Sequence, residues 1–199
     1  MSRAEELVAT FDDVTGNYKR EEMEEALTLR EEITPLLLAI LDDLAAEPER
    51  YAAGNHHAEI YAVALLAHFR ETRAHLPIIR AFSIPDEQRE YLWSDMLTET
   101  LPALLCRTSG GDYTQILKIV RNRDAYEFLR SSAMEAIKLG VACGDLSREE
   151  GIALFAKEYV CEGDVALEDL ERTMAKGSCK QYPCVVTSYG HQKEGESPE

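Results

Sequence analysis

From Ala58 to Phe69 the only strongly polar side chains are Glu59 and His68, and the run contains neither glycine nor proline. An apolar stretch of that length predicts a helix buried on nearly every side, which needs neighbours all round. Arg70, Glu71, Thr72 and Arg73 break the run, and Leu76, Ile78, Ile79 and Phe82 begin a second apolar segment. Pro77 fits there only near a first turn, where the amides have no helical partner. Two helices joined by so short a polar turn are expected to pack antiparallel. The stretch from His57 to Ser83 therefore organises the chain.

The remaining helices are read from their caps. Ser2 with Glu5, and Ser147 with Glu150, have capping-box spacing. Arg20 to Glu32 predicts an outer helix with only Met23, Ala26, Leu27 and Leu29 to bury. Thr34 followed by Pro35 reads as the start of a third, core helix carrying Leu36, Leu37, Leu38, Ile40, Leu41 and Leu44. Pro48, Gly54 and Asn55 mark a loop, and Glu87 to Trp93 predicts one or two turns. Leu97 to Leu105 predicts a helix with Pro102 in its first turn, ended by Gly110 and Gly111. Asp112 and Asp124 are expected to cap helices over Tyr113–Val120 and Ala125–Val141, and Gly144 to stop the second. No segment alternates with β-branched residues, so no sheet is expected. Helix pairs recur from about residues 58, 97 and 125 at spacings near those of helical repeats. The resulting fold class is all-α: antiparallel helix pairs stacked into a right-handed α-solenoid over residues 1–162. Asp164 to Lys176 is expected to cap the stack by covering Ile152, Leu154, Phe155 and Tyr159, and residues 177–199 to form a flexible polar tail.

Charge and cysteine usage narrow the partners. The chain has 37 acids against 21 bases, a formal charge of −16, with 14 acids and 5 bases in residues 1–50 giving −9 of it. Such a balance repels a phosphate backbone, so nucleic acid is not an expected partner. No window is long and apolar enough for a membrane span, and MSRAEELVATFDD is acidic where a signal peptide is basic and then apolar. No membrane is expected, and the expected location is the cytoplasm. Five cysteines, an odd number spread along the chain, fit a reducing compartment, with Cys106 and Cys143 inside apolar helical segments.

ALTLREEITPLLLAILDDL, HAEIYAVALLAHFRETRAHLPIIRAFSIP and LSREEGIALF together resemble an uncharacterised, mostly bacterial family, domain of unknown function 1186. The resemblance runs from about Ala26 to Phe155 and implies an α-helical repeat protein of the HEAT type. It implies no activity. Many relatives also end in a zinc motif built from a C-x-C pair and a later pair of Cys or Cys and His. This chain has Cys179 and Cys184 with a lone His191, so that motif is not carried over.

No assembled chemistry stands out. His57, Tyr61 and His68 share a helical face, and they are the candidate binding residues, a stripe that could line a polar groove. His57 and His68 lie roughly 16 Å apart at helical rise, too far to share a metal ion. The plainer reading of the stripe is polar-tipped residues packed between helices with their nitrogens satisfied. Cys161, Cys179, Cys184 and His191 lack the C-x-x-C knuckle of structural zinc sites and read as incidental to a tail. Neither a nucleophile elbow nor a glycine-rich phosphate loop is present. The expectation is therefore no metal and no cofactor, and a non-catalytic protein-interaction module or scaffold. The expected partner is a protein or peptide, suited in charge if basic, with the chain itself a monomer or weak homodimer. The alternative is a metal-dependent hydrolase or zinc-binding protein using the His57, Tyr61 and His68 groove or the tail thiols.

Overall fold

The computed structural model describes residues 1–13, 18–54 and 56–159, and among them it contains twelve α-helices and no strand. In chain order these are α1 (Arg3–Phe11), α2 (Arg20–Thr28), α3 (Arg30–Ala46), α4 (Pro48–Ala52), α5 (Ala58–His68) and α6 (His75–Phe82). They continue as α7 (Asp86–Trp93), α8 (Met96–Glu99), α9 (Leu101–Thr108), α10 (Thr114–Arg121), α11 (Glu127–Cys143) and α12 (Arg148–Tyr159). The fold is all-α. No helix among the described residues is long and apolar enough to cross a membrane.

Helix α5 is the apolar run, and Ala62, Val63, Leu65, Leu66 and Ala67 are all fully enclosed. It packs against α3 and α9, while α6 packs against the same two helices. The two helices of the hairpin thus share the same two neighbours. In their connector Arg70 takes a left-handed φ of 51° and Thr72–Ala74 coil into a 3₁₀ turn. Pro77 does fall in the first turn of α6.

Both capping boxes form. The Ser2 hydroxyl accepts from the Glu5 amide at 3.3 Å while the Ser2 amide donates to Glu5 Oε2 at 2.6 Å. Ser147 and Glu150 repeat the exchange at 3.1 and 2.9 Å. Gly144 ends α11 with φ 80°, a conformation costly for any residue with a Cβ.

Five expected boundaries are corrected. The outer helix expected over Arg20 to Glu32 breaks at Leu29, and the next helix starts at Arg30 rather than at Thr34-Pro35. The break allows Met23 and Ala26 to face α1 and α5 while Ile33, Leu37, Leu41 and Leu44 define a separate buried face. Pro35 is tolerated inside α3 because it and Glu31 are exposed, so water can take the carbonyl that loses its partner. Thr34 does not cap; its hydroxyl donates to the Arg30 carbonyl at 2.6 Å. Pro48 opens the short helix α4 where a loop was expected. The Leu97–Leu105 helix is split at Thr100, since Pro102 lacks the amide that would bond the Thr98 carbonyl. Asp124 does not cap α11, and its own amide donates instead to Asn122 Oδ1 at 3.2 Å.

The buried side chains form one continuous cluster from Ala4 in α1 to Phe155 in α12. Trp93 lies within it, its indole stacked on Phe82 at 4.1 Å and its Nε1–H donating to the Ala81 carbonyl at 2.8 Å. The capping segment at 163–176, the tail, Cys161, Cys179, Cys184 and His191 lie outside the described residues.

Candidate functional site

The first amides of an α-helix have no intrahelical partner, and α5 has no side-chain cap of its own. The need is met from another helix. Asp12, at the end of α1, turns its carboxylate over the start of α5, where Oδ1 accepts from the His57 amide at 3.2 Å and the Ala58 amide at 3.5 Å. The other oxygen, Oδ2, lies 2.9 Å from His56 Nδ1, so one carboxylate joins a helix terminus to an imidazole. A negative charge there also complements the positive end of the helix dipole.

Glu59 lies behind this contact and is only 2% exposed. Its Oε2 has no hydrogen-bond partner. Burial pushes the carboxyl up to about 7, its own backbone amide opposes that, the Asp12 charge adds to it and His56 opposes it. Tyr51, from α4, closes the cluster: its ring is 4.7 Å from that of His56 and its hydroxyl donates to Asp43 Oδ2 at 3.0 Å. Burial is also the main cause raising the Tyr51 phenol. The Arg50 guanidinium sits 5.1 Å from the Tyr51 ring and pairs with Asp43. Asp12, Tyr51, His56 and Glu59 thus meet from three helices. Such a set can hold α1 and α4 against α5 and can take up a proton near neutral pH.

The three stripe residues are placed differently. His57 contributes its amide to the Asp12 contact and keeps a half-buried side chain. Tyr61, one turn further, stacks on Phe11 at 4.6 Å with an interplanar angle of 10°, and its hydroxyl accepts from the Lys19 amide at 3.2 Å. His68 lies at the far end of α5, edge-on to Phe69. Its pKa is lowered, first by burial and then by the charges of Arg107 and Arg30. His57 and Tyr61 are therefore brought together near α1, and His68 is not brought to them.

Asp12 is not among the sequence-derived candidates, and His56 and Glu59 stand out in the sequence only in the run His56-His57-Ala58-Glu59, which invites a metal reading but lacks the i, i+4 pair of imidazoles such a site needs. The one available signal was Glu59 itself, an acid inside an apolar run that must either find a partner or give up its charge. Among the described residues no group of three or more His, Cys, Asp or Glu side chains could hold a metal ion.

Two curated relatives are similar over 143 residues, an uncharacterized protein of Chlamydia trachomatis serovar D at 30% identity and one of Chlamydia muridarum at 29%. The matched region is 71% of this chain and 57% of each relative, so the chain spans little more than half their length. No solved structure matches. The family model described as protein of unknown function, DUF1186, matches residues 2–162, and the chain belongs to that family.

Proposed function

We propose that the protein is a non-catalytic protein-interaction module, a HEAT-like helical scaffold whose α2–α3 flank receives a basic protein or peptide segment. What supports this reading is the distribution of charge on that flank. Within the two helices only Arg20 and Arg30 are basic, against eight acids. The cations beside them are occupied by the chain's own acids: Arg3 pairs with Glu6 and Glu25, Lys19 with Asp13, Arg50 with Asp43 and Glu47, and Arg80 with Asp42. Arg30 lies over the Phe69 ring at 5.5 Å. Glu21, Glu24, Glu31 and Glu32 are exposed and have no ion pair among the described residues. Potential left uncompensated in this way favours cationic partners and speeds their approach. Helix α2 also packs on α5, beginning beside Tyr61 and ending beside Arg30 and His68, which puts two of the three stripe residues next to this flank.

The test uses the full chain as bait in its native cell extract, beside a variant carrying Glu21→Lys, Glu24→Lys, Glu31→Lys and Glu32→Lys. All four positions are exposed, so the variant should keep its helical circular dichroism. The expected result is a basic partner retained by the parent, weakened by salt and lost from the variant. An unchanged partner set, or stoichiometric zinc retained through dialysis, would count against this reading and for a metal-dependent protein.

A further inference from the structure

Cys106, on α9, is 5% exposed, and Cys143, in the last turn of α11, is exposed; both are thiols. The contacts around Cys106 converge on the end of α11. Its sulfur is 3.6 Å from Tyr113 Oη and donates to Asp145 Oδ2 at 3.8 Å, and it shares a hydrogen bond with the Cys143 thiol. Tyr113 Oη in turn lies against Gly140, where a Cβ would overlap it. Residues three apart on a helix are surface neighbours, so Cys143 lies on the face that Tyr113 touches at Gly140. Two residues beyond it comes Asp145, which Cys106 touches directly. The missing side chain at Gly140 is what lets Tyr113, and with it the start of α10, close on α11.

We propose that Cys106 and Cys143 are a redox modification site, closing a reversible disulfide that ties α9 to the last turn of α11. The electron acceptor is a low-molecular-weight disulfide. The exposed Cys143 sulfur attacks one of its sulfurs, and the thiolate that leaves takes up the Cys143 proton. Cys106 then attacks the Cys143 sulfur of the mixed disulfide, passing its proton to the Asp145 carboxylate. The second external thiolate departs and receives that proton. Two protein thiols are oxidised and one external disulfide is reduced to two thiols. Burial pushes the Cys106 thiol up, so it stays protonated until a nearby base accepts the proton, and Asp145 is the carboxylate in reach. Cys143 is the point of entry because it is the exposed member of the pair.

The probe is oxidised glutathione added to the full chain, followed by an acid quench and peptide mapping without reduction. The expected product is a crosslinked pair of peptides containing Cys106 and Cys143, lighter by two hydrogens than its parts and lost on reduction. Cys106→Ser should stop at glutathionylated Cys143. Asp145→Asn should leave that first step unchanged and slow ring closure by about tenfold or more, as removal of a positioned base does. Cys143→Ser keeps the native Cys106 and should leave it unmodified. Persistent glutathionylation of Cys143 in the parent, its crosslinking to Cys161, Cys179 or Cys184 instead, or reaction of Cys106 in Cys143→Ser would each overturn the proposal.

Discussion

A carboxylate at Glu59 has no cation within ion-pair reach among the described residues, and its Oε2 has no hydrogen-bond partner. In the unfolded chain the same group titrates near 4.5, and in the fold it titrates at about 7. The folded state therefore binds more protons than the unfolded state between those values, and stability falls as pH rises through that window. Below about 4.5 the group is protonated in both states and costs nothing by this route. Above 7 the cost approaches about 3 kcal/mol, one pKa unit being worth about 1.4 kcal/mol. Glu59→Gln removes the titration and keeps the shape. Urea unfolding at pH 5 and pH 8 should show the variant gaining roughly 2–3 kcal/mol relative to the parent between the two values. Parallel pH dependence in both proteins would mean that the carboxyl is not held protonated in the fold. The Asp12–His56 contact was hidden in the sequence for a related reason: it joins residues far apart along the chain, and no local pattern marks either as the cap of α5.

At the scale of elements, Gly140 sets the distance between α11 and the start of α10. Alanine is intrinsically better than glycine in a helix by about 1 kcal/mol. Here its Cβ would overlap Tyr113 Oη and the adjoining ring carbon, and Tyr113 is itself buried. Overpacking of that kind costs about 1–3 kcal/mol beyond the propensity gain. Gly140→Ala should therefore destabilise, as a lowered thermal midpoint would report, and in a Tyr113→Leu background the same change should become neutral or favourable because the opposing ring is gone. An equal loss in both backgrounds would show that the glycine is needed for another reason. The contrast with the capping boxes explains what could be read beforehand. Ser2–Glu5 and Ser147–Glu150 satisfy amides within one turn, so four residues of sequence carry the whole signal. The break at Leu29, the helical Pro35 and the split at Thr100 depend on which side of each helix faces the core or water. That information lies in the packing. Likewise the candidate stripe followed from the period of α5 alone, whereas Asp12 and Tyr51 enter the site from helices α1 and α4.

For the whole molecule, the decisive quantity is how far the helices share one core. In a linear array each unit touches only its neighbours, and an end can loosen while the middle stays folded. Here α9 joins the preceding pair, α5 and α6, to α8 and to the following α11, and the buried cluster runs without interruption from α1 to α12, so neighbouring units are coupled through one continuous core. Trp93, the single tryptophan, sits inside that cluster, far in sequence from Phe155 at its carboxy-terminal edge. Phe155 is 3% exposed and packs with the Lys138 ammonium 5.9 Å from its ring. Phe155→Ala should cost about 3 kcal/mol or more, the usual loss for a buried phenylalanine that leaves a cavity. With one shared core, Trp93 fluorescence and far-ultraviolet circular dichroism should report a single transition in urea, and the variant should shift both by the same amount. If instead the circular dichroism splits and the Trp93 transition stays where it was, the carboxy-terminal helices unfold as a separate unit, and the chain behaves as an array of neighbours with no common core.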